Sequence, residues 1–372
     1  MAQSFSLCAF VPLCLPFFTC YMDKTKDIIK HIHSLVPHDS KVKIMNVCGS
    51  HEHTIAYSGM RSLMPKNLEI IPGPGCPVCV CPESDIIHAI NLSKRDDVIL
   101  VTYGDMLRVP TKNGSIRSEG KNFRMITSPF EALNIAKSNP DRKIVFFSIG
   151  FETTTAPTAA ILEMGVPDNL YILSSHRLTP TIMEVLVKDA EIGINGFIAP
   201  GHVSAIVGSN AWNVFSEKYG VPTVVAGFEA DNLLLGLMEI LRQLKEGISK
   251  TSNVYRSVVK PEGNIRAQKI IYKFFRVSDV NWRGIGYIPA SGLELRDEYS
   301  GKDAKKVFGL QEIKEEKIHG CICGQVILGK SYPADCRLFK KVCTPKAPQG
   351  PCMVSFEGAC NIWYKTKPEK QA

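Results

Sequence analysis

The chain has 372 residues, of which 45% are hydrophobic and 22% are charged, and its mean hydropathy is +0.00. These values describe an ordinary soluble globular protein long enough for two or three domains. The formal net charge is +8, but the lysines and arginines are scattered without a long basic block, so nucleic-acid binding is not predicted.

The first 21 residues differ from the rest. The segment 7–21 is almost wholly apolar, is too short for a membrane span, and lacks the charged start and cleavage site of a signal peptide. Pro12 and Pro16 argue against a helix there. A more ordinary sequence opens at Met22. We interpret residues 1–21 as a non-native extension from a misplaced start, with a weak signal or interfacial anchor as the alternative.

From Lys41 onward, short apolar runs alternate with helical patterns. Strands are predicted over 41–47, 68–71, 97–102, 143–149, 170–174, 196–199, 223–226 and 270–275. Helices are predicted over 50–64, with Ser50 as a possible N-cap, and over 83–94, 155–164, 180–192, 203–219 and 230–246. The runs 98–101 and 144–147 lack polar alternation, as strands buried on both faces do. This pattern predicts an α/β fold with parallel sheets.

Similar turns follow several predicted strands. The segments 150–152 and 227–229 both read Gly-Phe-Glu and open a helix, and Gly201-His202 follows another strand. Ligands bind at the carboxyl ends of parallel strands in α/β folds. The repeated turn indicates two related α/β halves. We predict domain I over 22–140, domain II over 141–252 and a C-terminal domain over 253–372, in which 301–320 is a solvated helix or linker.

Six cysteines crowd the C-terminal domain: Cys321, Cys323, Cys336, Cys343, Cys352 and Cys360. Soft thiolates at this density suit a transition-metal centre. Their spacing has neither the paired CxxC of zinc ribbons nor the closely spaced run of ferredoxins. An iron–sulfur cluster is the favoured interpretation, and a zinc site or unmetallated thiols are the alternatives.

Further thiols lie upstream. Cys76 and Cys79 form a CxxC on a Pro-Gly turn, which predicts an exposed pair with lowered pKa that forms a reversible disulfide or a metal clamp. Half of a zinc site is the alternative, and Cys81 is interpreted as a core residue. Cys48 ends a strand where a helix begins, so we expect an accessible, stabilised thiolate. Of the nearby histidines, His51 or His53 could serve this site or merely cap the helix.

The odd number of cysteines, 13, fits reduced thiols and metal sites in the cytoplasm better than a secreted disulfide framework. No GxxxxGK[ST], GxGxxG, GxSxG or HExxH motif is present, so nucleotide binding, hydrolase elbows and zincin chemistry are disfavoured.

Taken together, these motifs resemble the hydrogenase maturation factor HypD family, from about residue 22 to 364. The matching stretches are CGSHEHTI (48–55), PGPGCPVCVCP (72–82), TYGDMLRVP (102–110), GFETTTAP (150–157), IAPGHVS (198–204), VVAGFE (224–229), WRGIGYIPASG (282–292) and the cysteine-containing block 321–360.

The resemblance implies a redox-active scaffold, rather than a metabolic enzyme, that assembles the Fe(CN)₂CO group of [NiFe] hydrogenases. It implies two Rossmann-like domains followed by a domain with a [4Fe–4S] cluster, and two partners, a HypC-type chaperone and a HypE-type cyanide donor. No membrane partner is implied.

By resemblance, Cys48 holds iron together with a partner cysteine, and Cys76 and Cys79 form the redox-active or iron-binding pair. His51 and Glu357 are then further functional residues. The resemblance favours Cys321, Cys336, Cys343 and Cys360 as cluster ligands, with Cys323 and Cys352 as rivals.

Thiol chemistry agrees with this assignment. A soft ligand holds iron, and a dithiol carries electrons by thiol–disulfide exchange. We therefore expect Cys48 to face the cleft between the α/β halves, within reach of the Cys76–Cys79 turn. A cluster-linked thiol–disulfide oxidoreductase and a zinc-stabilised binding module are the alternative functions.

Overall fold

The computed structural model describes the backbone of residues 15–311, 313 and 320–366, and the side chains from residue 24 onward. Residues 1–14 of the segment interpreted as an extension, and residues 312 and 314–319 of the charged stretch 301–320, lie outside the described residues. The first helix begins at Leu15 and includes Pro16 in its first turn, where proline is tolerated. The prediction that Pro16 excludes a helix is therefore wrong.

Helices form much of the described chain. They are α1 (Leu15–Leu35), α2 (Gly49–Tyr57), α3 (Met60–Leu63), α4 (Pro77–Val80), α5 (Glu83–Ser93), α6 (Ile116–Glu119), α7 (Pro129–Lys137), α8 (Glu152–Glu163), α9 (Thr179–Lys188), α10 (Gly201–Val207), α11 (Asn213–Tyr219), α12 (Ala230–Glu246), α13 (Ile265–Phe274), α14 (Ala304–Val307), α15 (Cys323–Ile327), α16 (Pro351–Val354) and α17 (Ala359–Thr366). Short 3₁₀ helices are η1 (Gly104–Arg108), η2 (Ser209–Trp212), η3 (Asp297–Lys302) and η4 (Pro333–Asp335).

The strands are β1 (Val42–Asn46), β2 (Leu68–Pro72), β3 (Val98–Tyr103), β4 (Phe123–Ile126), β5 (Lys143–Gly150), β6 (Leu170–Arg177), β7 (Gly196–Pro200), β8 (Thr223–Ala226), β9 (Thr251–Asn253), β10 (Phe275–Trp282) and β11 (Gly286–Leu295). They form two sheets. The first has the order β2-β1-β7-β8-β9 and is parallel throughout. The second has the order β10-β11-β6-β5-β3-β4, in which only β10 and β11 are antiparallel to their neighbours. The predicted α/β class with parallel sheets is confirmed.

The two sheets do not follow the order of the chain. The first sheet takes β1 and β2 from the N-terminal part and then β7–β9, whereas the second takes β3–β6 and then β10 and β11. The predicted division at residues 140 and 252 therefore does not coincide with the division into sheets. The boundary at residue 140 falls between β4 and β5, which both belong to the second sheet.

Two predicted helices are broken at glycine. Gly59 has a φ of +67° and separates α2 from α3, and Gly208 has a φ of +88° and ends α10. Both values lie in the left-handed region that favours glycine, so the helices predicted over 50–64 and 203–219 cannot continue. The strand predicted over 270–275 is wrong as well, because Asn264 caps α13 and the strand β10 begins only at Phe275.

The core continues from the sheets into the C-terminal cysteine-rich part. All three tryptophans, Trp212, Trp282 and Trp363, are fully buried, and Trp363 lies on α17, which packs against α2. Among the described helices, none is long and apolar enough to cross a membrane.

Candidate functional site

Cys48 lies where β1 passes into α2. It occupies the N-cap position of that helix with extended backbone angles, instead of the predicted Ser50. The loop that follows β2 passes directly beside it, and the N–H of Gly49 donates to the carbonyl of Gly75 at 3.2 Å. A Cβ on Gly75 would collide with the backbone of Cys48, so only glycine permits this approach. The two strand ends therefore hold Cys48 against the Pro-Gly loop.

The same loop carries the CxxC. Cys76 is the N-cap of α4, and its sulfur accepts the N–H of Cys79 at 3.2 Å. The two sulfur atoms are joined in a disulfide, with the Cα atoms 5.3 Å apart. Both residues are buried, at 5% and 2% exposure, so the prediction of an exposed turn is wrong. The C-terminal helix α16 packs against α4, and Ile327 and Cys352 line the cavity beside the loop.

A narrow cavity connects these thiols. It is lined by Cys48, Cys76, Cys79, Cys352 and Glu357, together with Glu52 and neighbouring loop residues. The sequence places these residues up to 309 positions apart, and the packing of the C-terminal part on the strand ends brings them together. The cavity thus brings together the three upstream cysteines and Glu357, all of which the sequence marks as candidate functional residues.

Glu357 reaches this cavity from the turn before α17. Glu357 packs closely on Gly49. A Cβ atom added at Gly49 would lie 2.5 Å from the Cβ atom of Glu357. Burial raises the pKa of Glu357, and the nearby charge of Asp105 raises it further, whereas the Ser50 hydroxyl opposes the rise. A carboxyl group in this environment holds a proton more readily than one in water.

The Cys48 thiol lies in a similar environment. Burial raises its pKa to about 11, against the lowering effect of the backbone N–H of His51, and the charge of Glu357 raises it further. The Ser50 hydroxyl interacts with Cys48 as well as with Glu357. The prediction that Cys48 is a stabilised thiolate is therefore wrong for the protein without metal. Burial raises the pKa of Cys48 more than the N–H donors at the helix N-terminus lower it.

The histidines point elsewhere. The buried ring of His51 lies 5.0 Å from that of Phe228, between centroids, and burial lowers its pKa to about 4. His51 is not among the described residues that line the Cys48 cavity, so its contact with Cys48 is made through its backbone N–H. His53 is exposed and stacks on Tyr57.

One residue of the cavity was missed by the sequence analysis. Glu52 is buried, and its Oε2 accepts from Arg61 Nη2 at 2.7 Å and from Asn46 Nδ2 at 3.0 Å. Its Oε1 accepts from the indole N–H of Trp363 at 2.7 Å. This carboxylate joins α2, β1 and α3 to α17, and so fixes Cys48 relative to the C-terminal cysteines. Its position in the CGSHEHTI stretch was the only signal in the sequence.

The C-terminal cysteines form a second site. Cys321, Cys323, Cys336, Cys343 and Cys360 line one cavity whose remaining walls are apolar. The sulfurs of Cys321 and Cys323 are 3.2 Å apart. A Cβ on Gly350 would lie 2.6 Å and 2.8 Å from the sulfurs of Cys323 and Cys321, respectively. Glycine at this position keeps the space beside the two thiols open.

Cys352 connects the two sites. It lines the Cys48 cavity, and its sulfur interacts with those of Cys323 and Cys360. Interactions with Cys323 and Cys352 lower the pKa of Cys360, so this thiol loses its proton more readily than an ordinary cysteine. A deprotonated cysteine is the form that binds metal.

The donor set decides which metal the second site could hold. Within the described part of the chain, no three His, Cys, Asp or Glu side chains are arranged around a single metal ion. The described lining of the second cavity offers thiols and apolar groups, but no histidine or carboxylate. Four thiolates on an apolar wall are the ligands of a cubane iron–sulfur cluster, which distributes them over several iron atoms.

Comparison with known proteins identifies the family of this chain. The profile of the HypD family, described as "Hydrogenase formation hypA family", matches residues 23–367. A Methanocaldococcus jannaschii protein named "Putative hydrogenase expression/formation protein" is 45% identical over 91% of this chain and 96% of its own length. A hydrogenase maturation factor HypD of Azotobacter vinelandii is 41% identical over 89% and 90%. One of Cupriavidus necator is 37% identical over 91% and 93%. The chain belongs to the HypD family.

Proposed function

We propose that this chain is a redox-active scaffold for [NiFe] hydrogenase maturation in the cytoplasm. On it, the Fe(CN)₂CO group is assembled with a HypC-type chaperone and a HypE-type cyanide donor. The observation that carries the proposal is the cavity shared by Cys48, the Cys76–Cys79 disulfide and Glu357. Family membership supports the maturation role, because relatives of similar length are named as hydrogenase maturation factors.

Cys48 is the anchor for the iron cargo in this proposal. Its sulfur is a soft ligand, and it is only partly buried, so a ligand from a partner protein can reach the same iron. Iron binding requires that the thiol lose its proton. The Ser50 hydroxyl interacts with both Cys48 and Glu357, which supports Glu357 as the group that accepts this proton.

The Cys76–Cys79 pair stores electrons beside the anchor. Opening the disulfide takes up two electrons and two protons and yields two thiols. Because both cysteines line the Cys48 cavity, the thiols formed are available as further soft ligands for the iron cargo or as electron donors to a cyanide-carrying group.

We further propose that the second cavity holds a [4Fe–4S] cluster. The ligands are Cys336, Cys343, Cys360 and one of the two neighbouring thiols Cys321 and Cys323. When bound, such a cluster supplies electrons one at a time. Cys352 lines the first cavity, and its sulfur interacts with Cys323 and Cys360 of the second, so it connects the ligand thiols to the disulfide.

A cluster-linked thiol–disulfide oxidoreductase is the second candidate, favoured by the disulfide itself. An oxidoreductase of this kind needs the cluster and the CxxC but has no use for a third thiol. The placement of Cys48 in the same cavity therefore favours the scaffold.

The test is anaerobic purification of the full chain together with the chaperone. Iron and sulfide analysis is expected to give about four sulfides and about five irons per chain, about four of them in the cluster and one in the cargo group. Infrared spectroscopy of the complex is expected to show cyanide and carbonyl bands. Cluster without those bands, combined with disulfide reductase activity, would favour the oxidoreductase. A colourless protein that holds zinc would exclude both.

A further inference from the structure

The three buried arginines of the described chain have different electrostatic environments. Arg61 is paired with the carboxylate of Glu52 at 2.7 Å. Arg177 acts on the buried carboxylate of Asp85, which also pairs with Lys305 at 3.4 Å. Arg283 is 93% buried, since its exposure is 7%, and among the described residues it forms no ion pair.

The hydrogen bonds of Arg283 leave part of its guanidinium group unused. Nη2 donates to the carbonyl of Pro110 at 2.8 Å. Nη1 is buried and has no hydrogen-bond partner within the described chain. A buried guanidinium without an anion carries a large desolvation cost, so its presence points to a negatively charged group that completes the site.

The position of Arg283 shows where such a group lies. It begins the turn between β10 and β11, and its backbone N–H donates to the carbonyl of Val80, in the helix that carries Cys79. The next residue, Gly284, packs tightly on Gly324. A Cβ atom added at Gly324 would collide with the carbonyl oxygen of Gly284. The turn therefore lies between the CxxC helix and α15, where Cys323 is the first residue.

We propose that Arg283 is the buried countercharge of the C-terminal cluster and raises its reduction potential; this inference rests on the proposed [4Fe–4S] site. A cluster bound by four thiolates is negatively charged and becomes more negative on reduction. A fixed positive charge in a buried environment stabilises the reduced form more than the oxidised form. The charge of Arg283 thus makes reduction of the cluster more favourable.

The electrostatics of the nearby thiols support this assignment. The guanidinium charge of Arg283 acts on the Cys321 thiol, so the two groups lie close to each other. The same charge acts on the buried thiol of Cys81, next to the CxxC helix. The guanidinium therefore acts on thiols on both sides of the turn.

The test is a potentiometric titration of the anaerobic full-length protein, followed by the electron paramagnetic resonance signal of the reduced cluster. Arg283→Gln keeps a hydrogen-bond donor but removes the charge, and Arg283→Lys keeps the charge. At the wild-type midpoint, Arg283→Gln is expected to lower the reduced-to-oxidised ratio about tenfold, which is about 59 mV for one electron. Arg283→Lys is expected to retain most of the wild-type value.

Arg337→Gln is the matched control, because this exposed arginine follows Cys336 and loses the same charge in a position screened by solvent. Arg283→Gln with full iron and sulfide and an unchanged potential would overturn the proposal. Loss of the cluster in Arg283→Gln but not in Arg283→Lys would support it. Loss of the cluster or of folding in both would identify Arg283 as a structural tie and overturn it. A wild-type protein without a cluster would instead refute the proposed function.

Discussion

The two thiol sites are built in different ways. The Cys48 site is set by regular structure, since Cys48 follows β1, the CxxC loop follows β2, and glycine allows the two to touch. Among the described residues, no strand carries the cysteines of the C-terminal site, which lie on the short helices α15 and α17 and on the turns between them. The first site is therefore positioned by the fold, whereas the second depends on what its thiols bind.

This difference predicts opposite consequences when a thiol is lost from each site. In the C-terminal site, removal of a ligand should remove a source of folding free energy. In the Cys48 site, removal of the thiol should leave the fold intact and abolish only what the thiol holds.

Cys343→Ala should abolish the cluster and destabilise the C-terminal part, because metal binding and folding are coupled where little regular structure supports the ligands. The measurement is iron and sulfide content, absorbance near 400 nm and thermal unfolding. Cys81→Ala is the control, since this buried cysteine lines neither thiol cavity among the described residues. Full iron and sulfide in Cys343→Ala would remove this residue from the ligand set.

Cys48→Ala should leave cluster content and thermal stability close to those of the wild type. The complex with the chaperone should nevertheless lose its cyanide and carbonyl infrared bands, because the soft anchor for iron is gone. If the bands persist unchanged in this variant, the iron is bound by Cys76 and Cys79 and not by Cys48. A fall in cluster content would instead contradict the independence of the two sites.

Glu52→Gln tests the connection between the sites. It removes the charge that pairs with buried Arg61, while the amide can still accept from Trp363. We expect a loss of about 3 kcal/mol in the free energy of unfolding, because a buried charge is left uncompensated. Glu163→Gln is the matched control, since its pair with Lys273 is exposed and should cost less than about 1 kcal/mol. Equal losses in urea unfolding would show that burial does not distinguish the two pairs.

Much of the fold could be predicted from the sequence, because its central strands are continuous apolar runs. Such strands, β3 and β5 among them, are buried on both faces and stand out from their surroundings. The hairpin β10–β11 was missed, because β10 has several exposed residues and lacks that signal. The interleaving of the sheets could not be predicted either, since strand pairing is non-local.

The candidate site was predictable to the extent that unusual residue types mark it. The grouping of Cys48 with Cys76 and Cys79 agrees with the cavity, as cysteines beside Pro-Gly turns and strand ends suggested. Glu52 and Arg283 were missed, because most charged residues are exposed and the sequence alone does not show that these two are buried. Their roles depend on that burial and on the groups that surround them. The low accessibility of the CxxC was missed for the same reason, since the C-terminal part covers it.

Glu357→Gln should give the smallest effect, a change in the reactivity of Cys48. With a pKa of about 11, about one Cys48 in 1,000 is thiolate at pH 8, so alkylation is slow. The charge of Glu357 contributes to this high pKa, and its removal should lower the pKa and speed alkylation severalfold. The measurement is the alkylation rate of the Cys48 peptide by mass spectrometry between pH 7 and 10, in protein without metal. Glu217→Gln, an exposed position, should leave the rate unchanged.

A rate that stays constant or falls in Glu357→Gln would show that Glu357 does not control the proton on Cys48. In that case the fold would set the position of the anchor thiol but not its protonation.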